Sequence, residues 1–291
     1  MKAKVIALIL ILSLGLLPGC GGRPAAQVAA TTLPVYQFTA ALCENTDIQV
    51  EQLITQSVSC LHDYSLSVSQ VKALESAQVV VISGAGLEEF MEDLIPETAA
   101  LIDSSQSITL LESCGHHHQE EAGHHHEEDP HIWLSPVNAS IMAENIAQGL
   151  QKAYPDHSQT IAHNLTQLQQ KLQLLADYGQ EQLNTLSCRD LITFHDGFGY
   201  FADAYDLHIL EAIEEESGSE ASARELKEMI GLVTEHQLPA IFTETNGSAS
   251  AAQVIAAETG VPVYALDMAM AGQDYFEAMY HNIDTLREAM K

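Results

Sequence analysis

Positive charge is scarce in this chain: 11 Lys and Arg stand against 40 Asp and Glu, for a formal net charge of −29. A surface of that sign repels a phosphate backbone, which argues against a DNA or RNA partner. It attracts cations weakly, over a range that salt limits to about 10 Å. No C-x-x-C pair occurs among the 5 cysteines, so a zinc cluster built on thiolates is not expected. No H-E-x-x-H or similar local metal motif is present, and no internal repeat is evident. Tryptophan occurs once, at Trp133.

The chain opens with Lys2 and Lys4, an almost wholly apolar run from Val5 to Leu17, and then Leu17-Pro18-Gly19-Cys20. A positive end, an apolar core too short for an ordinary membrane span and a small residue at the end read as a secretory signal. The cysteine at the cut resembles a bacterial lipobox. Residues 1–20 are thus expected to be a lipoprotein signal, with Cys20 lipidated as the mature N-terminus and residues 21–27 a flexible tether. The expected location is the outer face of the cell membrane. The other cysteines, Cys43, Cys60, Cys114 and Cys188, permit two disulfides in an exported chain; Cys43 with Cys60, which flank one expected strand, is favoured.

Strand-like and helix-like runs alternate at both ends of the remaining chain, which predicts two α/β units with mostly parallel sheets flanked by helices. Expected strands are "VAATTL", "IQVEQLI", "VVVIS" and "ITLLES" in an N-terminal lobe over 28–155. "LITF", "HILEAI", "AIFTE" and "VPVYAL" follow in a C-terminal lobe over 187–291. Between the lobes, residues 156–186 contain no proline and carry apolar residues at 161, 165, 168, 172 and 175. That spacing predicts one long, rigid linking helix of about 45 Å.

Five metal-capable side chains fall after expected strand ends: His62, His131, His195, Glu244 and Asp267. In open α/β sheets that edge binds ligands, and here the residues could converge only across a cleft between lobes. His157, His163, His208, His236 and His281 lack such a position and are read as ordinary loop or surface histidines.

The segments "HDYSLSVSQV", "DPHIWLSP", "FHDGFGYF", "FTETNGS" and "VYALD" resemble, in order and over nearly the whole mature chain, the metal-binding lipoproteins of the zinc/manganese ABC-transporter family, the cluster A-I solute-binding proteins. The resemblance implies two α/β lobes joined by a rigid helix, one metal ion held between them, and delivery of that ion to a membrane ABC permease by a monomer. It makes His62, His131 and His195 the imidazole ligands and Asp267 the fourth ligand, with Glu244 beside the site. Three imidazoles and one carboxylate suit Zn2+ better than Mn2+, which prefers more oxygen. Where many relatives have proline after the tyrosine of "HDYSLSVSQ", this chain has Ser65.

The run "GHHHQEEAGHHHEE", within a loop spanning 115–128, contains His116, His117, His118, His124, His125 and His126 without an apolar anchor. It is expected to gather zinc weakly, because ordering such a segment costs about 1 kcal/mol or more per residue, whereas prolines and Trp133 hold His131 in place. A solvated insertion without function is the alternative for the run. For the whole chain, the rival class is a zinc hydrolase with Glu244 as general base. Four protein ligands would close the shell that catalytic zinc keeps open, so no enzyme is expected. Adhesion to a host surface, often ascribed to such lipoproteins, is compatible with transport.

Overall fold

The computed structural model describes residues 27–56, 61, 64–112, 128–214, 221–245, 247, 249–270, 272 and 274–291, apart from the side chains of His195 and Glu214. Cys20, Cys60, Cys114, His62 and the histidine run lie outside them.

Alternating strands and helices build two α/β lobes. In the first, β1 (Val28–Ala30), β2 (Val50–Gln52), β3 (Val79–Ile82) and β4 (Ala100–Asp103) form one sheet of order β2-β1-β3-β4, parallel throughout. All residues of β1 and β3 are buried, the pattern of strands covered on both faces. Helices α1 (Leu33–Leu42) and α2 (Val68–Ser76) cross between strands, and α3 (Pro136–Ala153) follows β4 after a long excursion. In the second lobe β5 (Asp190–His195) pairs with β6 (His208–Glu214), and β7 (Ile241–Glu244) pairs with β8 (Val263–Leu266), both parallel. β5 runs beside β7, and α5 (Gly199–Ala204), α6 (Ala223–Glu235), α7 (Ser250–Thr259) and α8 (Tyr275–Ala289) pack around these strands.

Between the lobes lies α4 (Ser158–Leu183), 26 residues, a length of about 39 Å at 1.5 Å per residue. Its buried positions are Ile161, Asn164, Leu168, Leu172, Leu175, Gly179 and Leu183, one stripe at steps of three and four. That stripe meets α1 and α3 of the first lobe and α8 of the second. On the first side the Asn164 amide donates to the carbonyls of Leu42 and Glu44, closing the end of α1. On the second, a Cβ on Gly179 would lie 2.3 Å from the Tyr205 ring, so only glycine admits that ring. Arg189 then donates to Leu183 and Asn184 at the end of α4 and to Tyr205 and Asp206 at the end of α5. Helix ends leave such carbonyls without partners, and one guanidinium serves both.

One expectation is corrected. "ITLLES" forms no strand; the sheet takes Ala100–Asp103 instead, as an edge strand with only Ile102 buried. An edge strand half open to solvent lacks the continuous apolar run that marks β3. Among the described residues Cys43 forms no disulfide: it closes the end of α1 as a buried thiol, and burial pushes its pKa up to about 12, while its expected partner Cys60 lies outside those residues.

Strand ends of the first lobe converge on a buried acid. Glu88 accepts hydrogen bonds from Thr31 Oγ1 (2.6 Å) beyond β1 and from the amides of Ser83 (2.8 Å) and Gly84 (3.0 Å) beyond β3. Burial outweighs these donors and lifts its carboxyl to about 7.

Candidate metal centre

His131 is 3% exposed. Its Nδ1 lies 2.7 Å from Asp129 Oδ1, and the same oxygen accepts the His131 backbone N–H at 2.9 Å. An imidazole whose Nδ1–H is given to a carboxylate is fixed in orientation and presents Nε2 to a metal. The ring also meets Trp133 edge-on, centroids 5.4 Å apart. No strand end supplies His131, contrary to expectation: it opens the 3₁₀ turn Ile132–Leu134, and Ser135 then caps α3 through Asn138 N–H.

Second-lobe residues do occupy strand ends. His195 is the last residue of β5, Glu244 the last of β7, and Asp267 the first after β8. Glu244 is buried and pairs in register with Leu266. Asp267 Oδ1 accepts the Ala269 N–H at 2.8 Å, and among the described residues Oδ2 has no hydrogen bond. Burial raises the Asp267 carboxyl above its ordinary pKa, while the Ala269 amide and His281 pull it down.

The turn at 129–134 touches both second-lobe segments. Trp133 Nε1 donates to the Met268 carbonyl at 2.8 Å, one residue after Asp267. Tyr200, in α5, donates through its hydroxyl to the Asp129 carbonyl at 2.9 Å and accepts the Leu111 N–H at 3.0 Å. A Cβ on Gly199 would stand 2.9 Å from Asp129 Oδ2, so α5 approaches the carboxylate closely there. His131 is thereby set against the chain just beyond His195 and just beyond Asp267.

His62 and the side chain of His195 lie outside the described residues; among the described ones, no three His, Cys, Asp or Glu side chains form a metal-holding group. Histidines without an assigned role have ordinary partners: His208 and His236 each turn Nδ1 to Asp190, at 3.1 and 3.2 Å, and His157 meets Asp47. No role was expected for Asp129 or Tyr200, although "DPHIWLSP" contains the first; both bond to the His131 turn.

The family of the periplasmic zinc-uptake complex component A, ZnuA, matches residues 28–289. The chain belongs to the ZnuA family. A ZnuA crystal structure superposes with a TM-score of 0.80 at 30% identity, covering 91% of this chain and 100% of that one. The zinc-binding protein AdcA of Streptococcus pyogenes is 29% identical over 90% of this chain but 55% of its own length, so the chain spans about half of that relative. The manganese-binding lipoprotein MntA of Bacillus subtilis is 27% identical over the full length of both. The laminin-binding protein Lmb of Streptococcus agalactiae, described as an adhesin with metal-transporting activity, has a TM-score of 0.77 at 26% identity.

With Nδ1 of His131 committed to Asp129, replacing that carboxylate has a defined outcome. Asp129→Asn should weaken zinc about 10- to 100-fold, the usual cost of losing a carboxylate behind a ligating histidine. Chelator competition at fixed pH measures this, and an unchanged affinity would separate Asp129 from metal binding.

Proposed function

We propose that the protein captures Zn2+ outside the membrane, between its lobes, and delivers it to the ABC permease of the same uptake system. His62, His131, His195 and Asp267 hold the ion, with Glu244 beside them. One observation carries the reading: His131 is buried, its Nδ1 is taken by Asp129, and its turn is bonded through Trp133 to the chain beside Asp267. A ring held in this way, on a turn bonded to the residue after Asp267, supports the reading of His131 and Asp267 as ligands of one ion. Three neutral imidazoles with one carboxylate favour zinc in four-coordinate geometry, with no open position for catalysis. Residues 28–155 and 187–291 are the two lobes, and 156–186 links them. Cys20 anchors the chain by lipid, residues 21–27 form the tether, and His116, His117, His118, His124, His125 and His126 gather ions for the cleft.

A manganese cargo is the second reading, favoured by the full-length likeness to MntA. The test uses the mature protein with residues 113–127 replaced by a short turn, stripped of metal. Competition titrations should give one tight zinc per chain, preferred over manganese. Preference for manganese would favour the second reading, and loss of tight zinc would move the site to the histidine run.

A further inference from the structure

Around Asp267 the hydrogen bonds do more than close a turn. Asn282, on α8, is fully buried; its Oδ1 accepts the Asp267 N–H at 2.7 Å and its Nδ2 donates to the Asp267 carbonyl at 2.7 Å. A side-chain amide offers a donor and an acceptor side by side, so this one residue grips Asp267 on both sides of its Cα. Its neighbours on α8, Met279, Ile283 and Leu286, are also fully buried, and both bonds gain strength from an apolar setting. The next residue is held from the other lobe, where Trp133 donates to the Met268 carbonyl. The residue after that, Ala269, adopts a left-handed φ of 54° and returns its N–H to Asp267 Oδ1. Three consecutive residues are thus pinned, the first by α8, the second by the His131 turn and the third by the Asp267 carboxylate itself.

We propose that Asn282 is a positioning residue for the metal, acting through Asp267: it sets the backbone so that the carboxylate already stands at its post when the ion arrives. The proposal rests on the reading of Asp267 as a ligand. Fixing the turn on folding removes an ordering cost from binding, which raises affinity without any contact between Asn282 and the ion.

A double-mutant cycle on the full mature protein tests this, with zinc affinity read by chelator competition. Asn282→Leu, similar in size and without the two hydrogen bonds, should weaken zinc about 10- to 100-fold, the range for residues behind a ligand. In an Asp267→Ala background the same change should alter affinity by no more than about twofold, the limit for sites that no longer interact. An equal loss in both backgrounds, or none in either, overturns the proposal. If Asp267→Ala alone leaves affinity unchanged, the reading of Asp267 as a ligand fails first, and the proposal falls with it. Should Asn282→Leu fail to fold by circular dichroism, Asn282→Asp takes its place in the cycle. It keeps the size and the acceptor for the Asp267 N–H, removes the amide donor, and is held to the same outcomes.

Discussion

His131→Ala should lower zinc affinity by at least about 100-fold, the upper end of what is lost when only a partner behind a ligand is changed. His195→Ala should do the same. For a ligand that binds only the folded chain, stabilisation follows RT ln(1 + [L]/Kd), about 4 kcal/mol at a thousandfold excess over Kd. A hundredfold loss of affinity removes about 2.7 kcal/mol of this, so the zinc-induced rise in melting temperature should shrink by well over half. The metal-free proteins need not melt alike. His131→Ala leaves the Asp129 carboxylate, 2% exposed, without its imidazole partner, a cost of about 1–3 kcal/mol before any zinc is added. Melting curves with and without zinc separate the two contributions. A zinc-dependent shift that survives His131→Ala intact would sink the assignment.

Trp133→Ala should be the most damaging single change to the fold itself. The indole is fully buried where the lobes meet and gives its N–H to the Met268 carbonyl, and the backbone carbonyl of Trp133 accepts the Tyr275 hydroxyl at 2.8 Å. Truncating a buried tryptophan costs about 3–5 kcal/mol, and for a chain of this size that lowers the melting temperature by roughly 6–20 °C. Trp133→Phe keeps most of the packing and loses only the donor to Met268, which should cost about 1–3 kcal/mol for the buried carbonyl left behind. Thermal or denaturant unfolding of both variants measures the difference. Equal costs for the two would show that the hydrogen bond to Met268, and not the packing, dominates.

Much of this arrangement was legible in the residues. Buried parallel strands such as "VVVI" announce themselves through uninterrupted β-branched residues, and α4 through its three-and-four stripe over a proline-free stretch. His131 stood out because prolines and the single tryptophan surround it. What the sequence did not reveal depends on distant meetings. Asn282 acts on a turn 15 positions away, and Trp133 on a carbonyl 135 positions away; neither has a local signature. β4 was missed because an edge strand presents one face to water, and "ITLLES" was mistaken for it because a loop lying against the core also carries apolar residues. There, Ile108 is buried and Leu110 and Leu111 pack partly on the core.

One modest feature bears on how the chain tolerates a change of length. Glu112 and Glu128 form an isolated antiparallel bridge, and the Asp129 N–H donates to the Leu111 carbonyl at 2.9 Å, so these two points of the chain are pinched together. The cost of closing a loop grows only with the logarithm of its length, about 0.6 kcal/mol for each doubling. Whatever sequence is spliced between the two glutamates, the frame of Asp129 and His131 begins on the far side of the pinch. A change of length or composition between the two glutamates should therefore leave the frame of Asp129 and His131 where it stands.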